Sequence, residues 1–128
     1  MSWPSAYACA PALGGQHGAY TMRPVAWADR VPIRDWRNAQ IDVLRQRAPL
    51  TPADQDAYYR DIVAPQFDQL EPAQVLVAVD LDGELIGYGG VVHLAWGDRR
   101  GEVSFLTRTD RLDDSTFAAD WRAYLAML

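Results

Sequence analysis

The chain has 128 residues, 49% of them hydrophobic and five of them tryptophan, with a formal net charge of −5 and all twelve basic residues arginine. That length suits one domain with a real core, and an acidic balance without lysine argues against binding a phosphate backbone, since no basic stripe is present to displace counterions. The single cysteine, Cys9, excludes an internal disulfide and a multi-cysteine zinc site, and no apolar run reaches membrane-spanning length.

Residues 1–18 carry small residues near Ala8 and Ala10 but lack the basic region of a secretory signal. They read as a disordered leader, or the product of a misassigned start codon, on a cytoplasmic protein, with the domain over 19–128. Ala19–Pro24 has tyrosine and threonine in an extended pattern closed by a proline, which predicts a first strand. Asp29 with Pro32 predicts a helix start, Asp29 capping it, and Ile33, Trp36 and Arg37 fall on one side of that helix. Thr51-Pro52-Ala53-Asp54 is a stronger start: a threonine cap, a proline at the first position and an acid three residues on. The helix it opens pairs Tyr58 with Ile62 and Tyr59 with Val63, and Pro65 is expected to stop it.

The period then changes. Val75–Val79 is a β-branched run of strand length, and Asp80–Glu84 a turn in which Gly83 can take positive φ. Leu85–Trp96 reads as the next strand, Gly97–Arg100 as a turn and Gly101–Thr107 as the third strand of an antiparallel meander. Gly87, Gly89 and Gly90 mark a bulge or a close backbone approach. Asp113 and Asp114 supply an N-cap and a first-turn carboxylate for a helix through Phe117, Trp121, Tyr124 and Leu125 to Leu128, with no Gly, Asn or Pro to close it. The order β-α-α-β-β-β-α predicts an α+β fold, an antiparallel sheet of about four strands. Helices are expected on both faces, because Val75–Val79 is apolar on both of its sides.

Four short motifs in this order, Met22-Arg23-Pro24, Ile33 to Asn38 (IRDWRN), Asp82 to Tyr88 (DGELIGY) and Arg100 to Phe105 (RGEVSF), resemble the amino-terminal half of the GCN5-related N-acetyltransferase superfamily. The Trp36-Arg37-Asn38 triplet and the Gly87-Tyr88 pair are similar to the branch that acetylates ribosomal-protein and nucleotide-sugar amines. The resemblance implies acetyl-CoA as cofactor and a small-molecule or peptide amine as acceptor. Acetyl transfer needs a neutral amine, so a carboxylate must remove a proton, and donors must face the thioester oxygen.

By the resemblance, the strand Gly101–Thr107 flanks the reaction. Glu102 matches the position of a general base, sharing a strand face with Ser104 and Leu106, although pairing with Arg99, Arg100 or an arginine of the first helix also accounts for it. Phe105, Leu106, Thr107, Arg111, Ser115 and Thr116 are the implied cofactor contacts. Arg37, Asn38, Tyr88 and His93 are the implied acceptor contacts, although a lone strand histidine such as His93 is more often a surface or hydrogen-bonded structural residue. Asp80 and Asp82 are explained by a hairpin turn rather than a calcium loop, so no metal is expected.

The segment Arg108–Thr116 departs from the superfamily. It has no glycine for close approach to a diphosphate, and Asp113 and Asp114 place negative charge there. Two functions remain: an N-acetyltransferase present as a weakly active or inactive fragment, and a non-enzymatic descendant that binds a ligand or partner. Either leaves the strand Gly101–Thr107 as an open edge beside an incompletely covered helix, so self-association is expected there.

Overall fold

The computed structural model describes residues 3–44 and 46–128. A two-residue turn at Gly18 and Ala19 joins β1 (Gly15–His17) to β2 (Tyr20–Pro24), and Gly18 takes the positive φ (59°) that so tight a turn needs. Three helical segments follow: α1 (Arg30–Ala39), α2 (Pro52–Tyr58) and, after a π turn over Tyr59–Val63, the short α3 (Ala64–Gln66). Then come β3 (Val75–Leu81), β4 (Glu84–Ala95), β5 (Arg100–Thr107) and α4 (Asp114–Met127).

The five strands form one antiparallel sheet in the order β1-β2-β3-β4-β5. The strand pairs β3/β4 and β4/β5 match the expected meander, and Asp82-Gly83, with φ of 53° and 81°, make its first turn. β3 alternates between two cores, as its two-sided apolarity requires. Leu76 packs with Ile33, Trp36, Tyr59, Val63 and Phe67 on the α1/α2 side. Val77 and Val79 pack with Met22, Ile86 and Tyr124 under α4. Helices therefore cover both faces.

Four expectations are corrected. β1 is a fifth strand that no β-branched pattern announces. Residues 3–18 are not a disordered leader. Trp3 donates its indole N–H to the Val25 carbonyl at 2.9 Å. Tyr7, almost fully buried, stacks on Phe67 at 3.9 Å, donates to the Leu76 carbonyl and accepts from the Leu76 N–H. Those backbone groups lie just beyond the last β2 pairing, at Val77; the Val25 N–H also reaches the carbonyl, and the phenol supplies the partner that the Leu76 N–H would otherwise lack.

Asp29 does not cap α1. Its carboxylate turns back to the Ala26 N–H and to Arg23, which also holds Asp80. Pro65 does not stop the second helix either. The π turn shifts the hydrogen-bond register so that Pro65 falls in the first turn of α3, where it has no N–H to leave unpaired. The Thr51 capping box forms as expected, Thr51 accepting from the Asp54 N–H while Asp54 accepts from the Thr51 N–H.

At Gly89 and Gly90 the strands approach too closely for side chains: an added Cβ would run into the Ser104 and Val75 carbonyls. The register stays continuous there, and the bulge falls instead between Val79 and Asp80, opposite Gly87 and Leu85. A second irregularity opens after Val92, where His93 adopts φ 52°. The Tyr124 phenol reaches into the close approach from α4, accepting from the Gly90 N–H at 2.6 Å and donating to the Ser104 carbonyl at 2.7 Å. Burial pushes that phenol up to about 12, so it stays protonated.

Candidate functional site

A cavity of about 370 Å³ opens on the α1/α2 side of the sheet. Its apolar walls are Ile33, Leu50, Leu76 and Val92, and its polar groups are Arg37, Gln55, Tyr58, Tyr59, Gln74, Tyr88 and Ser104. Helical periodicity brings Ile33 and Arg37 there from α1, and Gln55 and Tyr59, one turn apart, from the second helix. Strand alternation brings Tyr88 and Val92 from β4 and Ser104 from β5, on the face opposite Phe105.

Arg37 donates from Nη1 to the Tyr88 phenol at 2.8 Å. Tyr58 accepts from Gln74 at 2.7 Å, and Gln55 donates to the Arg30 carbonyl. The Tyr59 hydroxyl is buried with no partner among the described residues. Burial pushes the Tyr59 and Tyr88 phenols up, in Tyr88 against the opposing pull of Arg37, so both are neutral proton donors at ordinary pH. The cavity thus presents a guanidinium, phenols and amides, and no carboxylate among its described lining residues.

Of the residues the resemblance implies, Arg37 and Tyr88 meet in this cavity. Asn38 does not line it. Its side chain spans the loop before α2, donating to the Leu50 carbonyl and accepting from the Leu50 N–H and Gln46. Glu102 and His93 lie beyond Val92, 4.0 Å apart, with side chains 73% and 77% exposed. Glu102 shares a strand face with Ser104 but faces solvent. On the other face Phe105 stacks on Tyr124 at 4.2 Å, so its ring belongs to the core under α4.

Solved structures with a similar fold include two named as acetyltransferases and one in complex with CoA-disulfide. An acetyl transferase from Salmonella typhimurium that modifies the N-terminal serine of the 50S ribosomal subunit protein L7/L12 matches 86% of this chain with a TM-score of 0.63 and 5% identity. The ribosomal-protein-S5-alanine acetyltransferase of Vibrio fischeri matches 88% with a TM-score of 0.61 and 13% identity. Mycobacterium smegmatis RimJ in complex with CoA-disulfide matches 84% with a TM-score of 0.53 and 18% identity. The fold is that of the GCN5-related N-acetyltransferases. This chain spans 63%, 65% and 55% of the length of those three proteins, less than two thirds of each. No protein-family model and no curated protein sequence matches it.

In an acetyltransferase fold the segment between β5 and α4 is where the resemblance implies the coenzyme diphosphate, and its residues do not fit one. Arg108 is held by Glu84 at 2.9 Å and Asp110 at 2.6 Å. Arg111 makes a two-pronged pair with Asp120, at 2.8 and 2.9 Å. Asp113 already fills the start of α4, accepting from the Thr116 N–H and the Ser115 hydroxyl, and Asp114 adds a further negative charge. Hydrogen bonds to those donors hold the Asp113 carboxyl below the usual carboxylate range, keeping it anionic. Thr107 is buried, its hydroxyl unpartnered among the described residues, and its carbonyl accepts from Gln40. Both cations that could meet a diphosphate are thus already paired with acids.

Sequence reasoning missed Gln40, Gln55, Tyr58, Tyr59 and Gln74. The one-turn spacing of Gln55 and Tyr59 was a signal that both share a helix face. Nothing local indicates that β4 and Gln74 meet them there.

Proposed function

We propose that this chain carries the acceptor side of an N-acetyltransferase that moves an acetyl group from acetyl-CoA to a primary amine of a small molecule or peptide in the cytoplasm, and that by itself it is weakly active or inactive. The observation that supports the acetyl-transfer reading is the acetyltransferase fold over 84–88% of the chain with an open polar cavity on its α1/α2 face. In this reading 19–128 is the amino-terminal part of the acyltransferase domain.

The residues in hand supply binding and orientation. Arg37, Tyr88 and the buried Tyr59 phenol hold the acceptor by hydrogen bonds, and Leu76 and Val92 exclude water from one side of it. Glu102, at the rim of the same strand face, takes the amine proton through solvent. Because the segment before α4 does not fit the coenzyme diphosphate, no step is assigned to the cofactor. The same segment favours the second reading, a non-enzymatic ligand-binding descendant. In either case the β5 edge and the exposed Val103 and Leu125 form the surface for self-association.

A free-thiol release assay with acetyl-CoA and L-alaninamide tests the first reading. Failure to orient the donor forfeits up to ~7–11 kcal/mol of barrier lowering, so turnover is expected at least about a hundredfold below that of the ribosomal-protein acetyltransferases. Residual activity should fall further in Glu102→Gln. Turnover equal to that of those enzymes, unaffected by the substitution, would contradict both the weak activity and the role of Glu102.

A further inference from the structure

The cavity under α1 and α2 contains a positive charge for which the described residues provide no counter-charge. Arg47, Arg99 and Arg122 are exposed, and every other described arginine except Arg37 has a carboxylate within 4.0 Å. Arg37 is partly buried, has no such partner among the described residues and lines the cavity. Its one protein hydrogen bond among them runs from Nη1 to the Tyr88 phenol, which leaves Nε and Nη2 without an acceptor.

Those two groups form the side-on fork that grips a carboxylate with two parallel bonds. Withdrawing a guanidinium from water without a counter-charge is costly, so the fold gains most when the occupant brings the anion. The Tyr59 hydroxyl, buried, lining the same cavity and unpartnered among the described residues, is a second polar group waiting for an occupant. No carboxylate is among the described lining residues to welcome a second cation, so a diamine would meet only the like charge of Arg37.

We propose that the cavity takes a small amine that also bears a carboxylate, an amino acid or a compact relative, and that Arg37 is the residue that selects it. The proposal rests on the reading of this cavity as the acceptor side. About 370 Å³ is room for such a molecule and lies near the small end of ligand pockets. The specificity device is charge: the guanidinium holds the carboxylate, and the phenols, which stay neutral, meet the remaining polar atoms without competing for it.

The test uses the whole chain, labelled with ¹⁵N, without any acetyl donor, and follows the amide signals of Tyr88 and Ser104. L-Alanine is compared with L-alaninamide, in which a neutral amide replaces the carboxylate, at a pH low enough to keep both amines protonated. L-Alanine is expected to bind at least about tenfold more tightly, and Arg37→Gln to erase the difference while Arg37→Lys keeps part of it. The amide of alanyl-aspartic acid, whose only carboxylate is on a side chain, is expected to bind more weakly than L-alanine, and tighter binding of that dipeptide amide would overturn the assignment of the cavity to an amino acid. Equal affinities in the unaltered chain, no saturable shift with L-alanine at tens of millimolar, or a preference that survives Arg37→Gln in a protein that still melts cooperatively would each overturn the proposal. Because no donor is present, a failure of acetyl transfer leaves the result standing. A failure of carboxylate preference leaves the transfer reading untouched.

Discussion

Replacing Asp120 with alanine should lower the free energy of unfolding by about 3–5 kcal/mol. Asp120 is fully buried on α4, accepts two hydrogen bonds from Arg111 and one from the Tyr20 phenol at 2.8 Å, and so ties α4 to the segment before it and to β2. Removing it leaves a mostly buried guanidinium without its counter-charge, and that loss, rather than the net worth of the pair, sets the size of the effect. Urea denaturation followed by tryptophan fluorescence measures it. A midpoint within experimental error of the parent would show that Arg111 finds another partner and that the pair does not organise α4.

Tyr7→Ala should cost about 3–5 kcal/mol, as truncation of a buried aromatic does. The ring stacks on Phe67, and its hydroxyl is the partner of both the N–H and the carbonyl of Leu76. Tyr7→Phe separates the two contributions. It keeps the ring, exposes only the loss of the hydroxyl, and should cost about 1–3 kcal/mol because the buried Leu76 N–H loses its partner, while the Leu76 carbonyl keeps the Val25 N–H. If both variants melt with the parent, residues 3–18 do not belong to the cooperative unit.

The parts of this fold visible in the sequence are those whose cause is local. The run at Val75–Val79, rich in valine and of strand length, reads as a buried strand, Asp82-Gly83 can take the two positive φ angles of a tight hairpin, and Thr51 with Asp54 writes a capping box into four residues. Asp113 likewise announces the start of α4. What stayed hidden depends on distant partners. The three exposed residues of β1 have no pattern of their own and become a strand by pairing with β2. Trp3 and Tyr7 resemble a loose leader until Val25 and Leu76 are placed beside them. The candidate site divides the same way. Arg37 and Tyr88 carry the superfamily resemblance and do meet, 51 positions apart in the chain, whereas Tyr59 enters their cavity through a π turn that no residue pattern announced.

The molecule sets an open polar cavity against a segment before α4 whose cations are already paired and whose helix start is already capped. Titrating coenzyme A into the ¹⁵N-labelled chain while following the amides of Asp113, Asp114, Ser115 and Thr116 measures that contrast directly. These signals are expected to show no saturable shift below about millimolar coenzyme A, since Asp113 and Asp114 repel the diphosphate and Arg108 and Arg111 are held by Asp110, Glu84 and Asp120. Saturation at those four amides with a dissociation constant of about a micromolar would contradict this, because it would mean that the acidic segment opens and holds the cofactor.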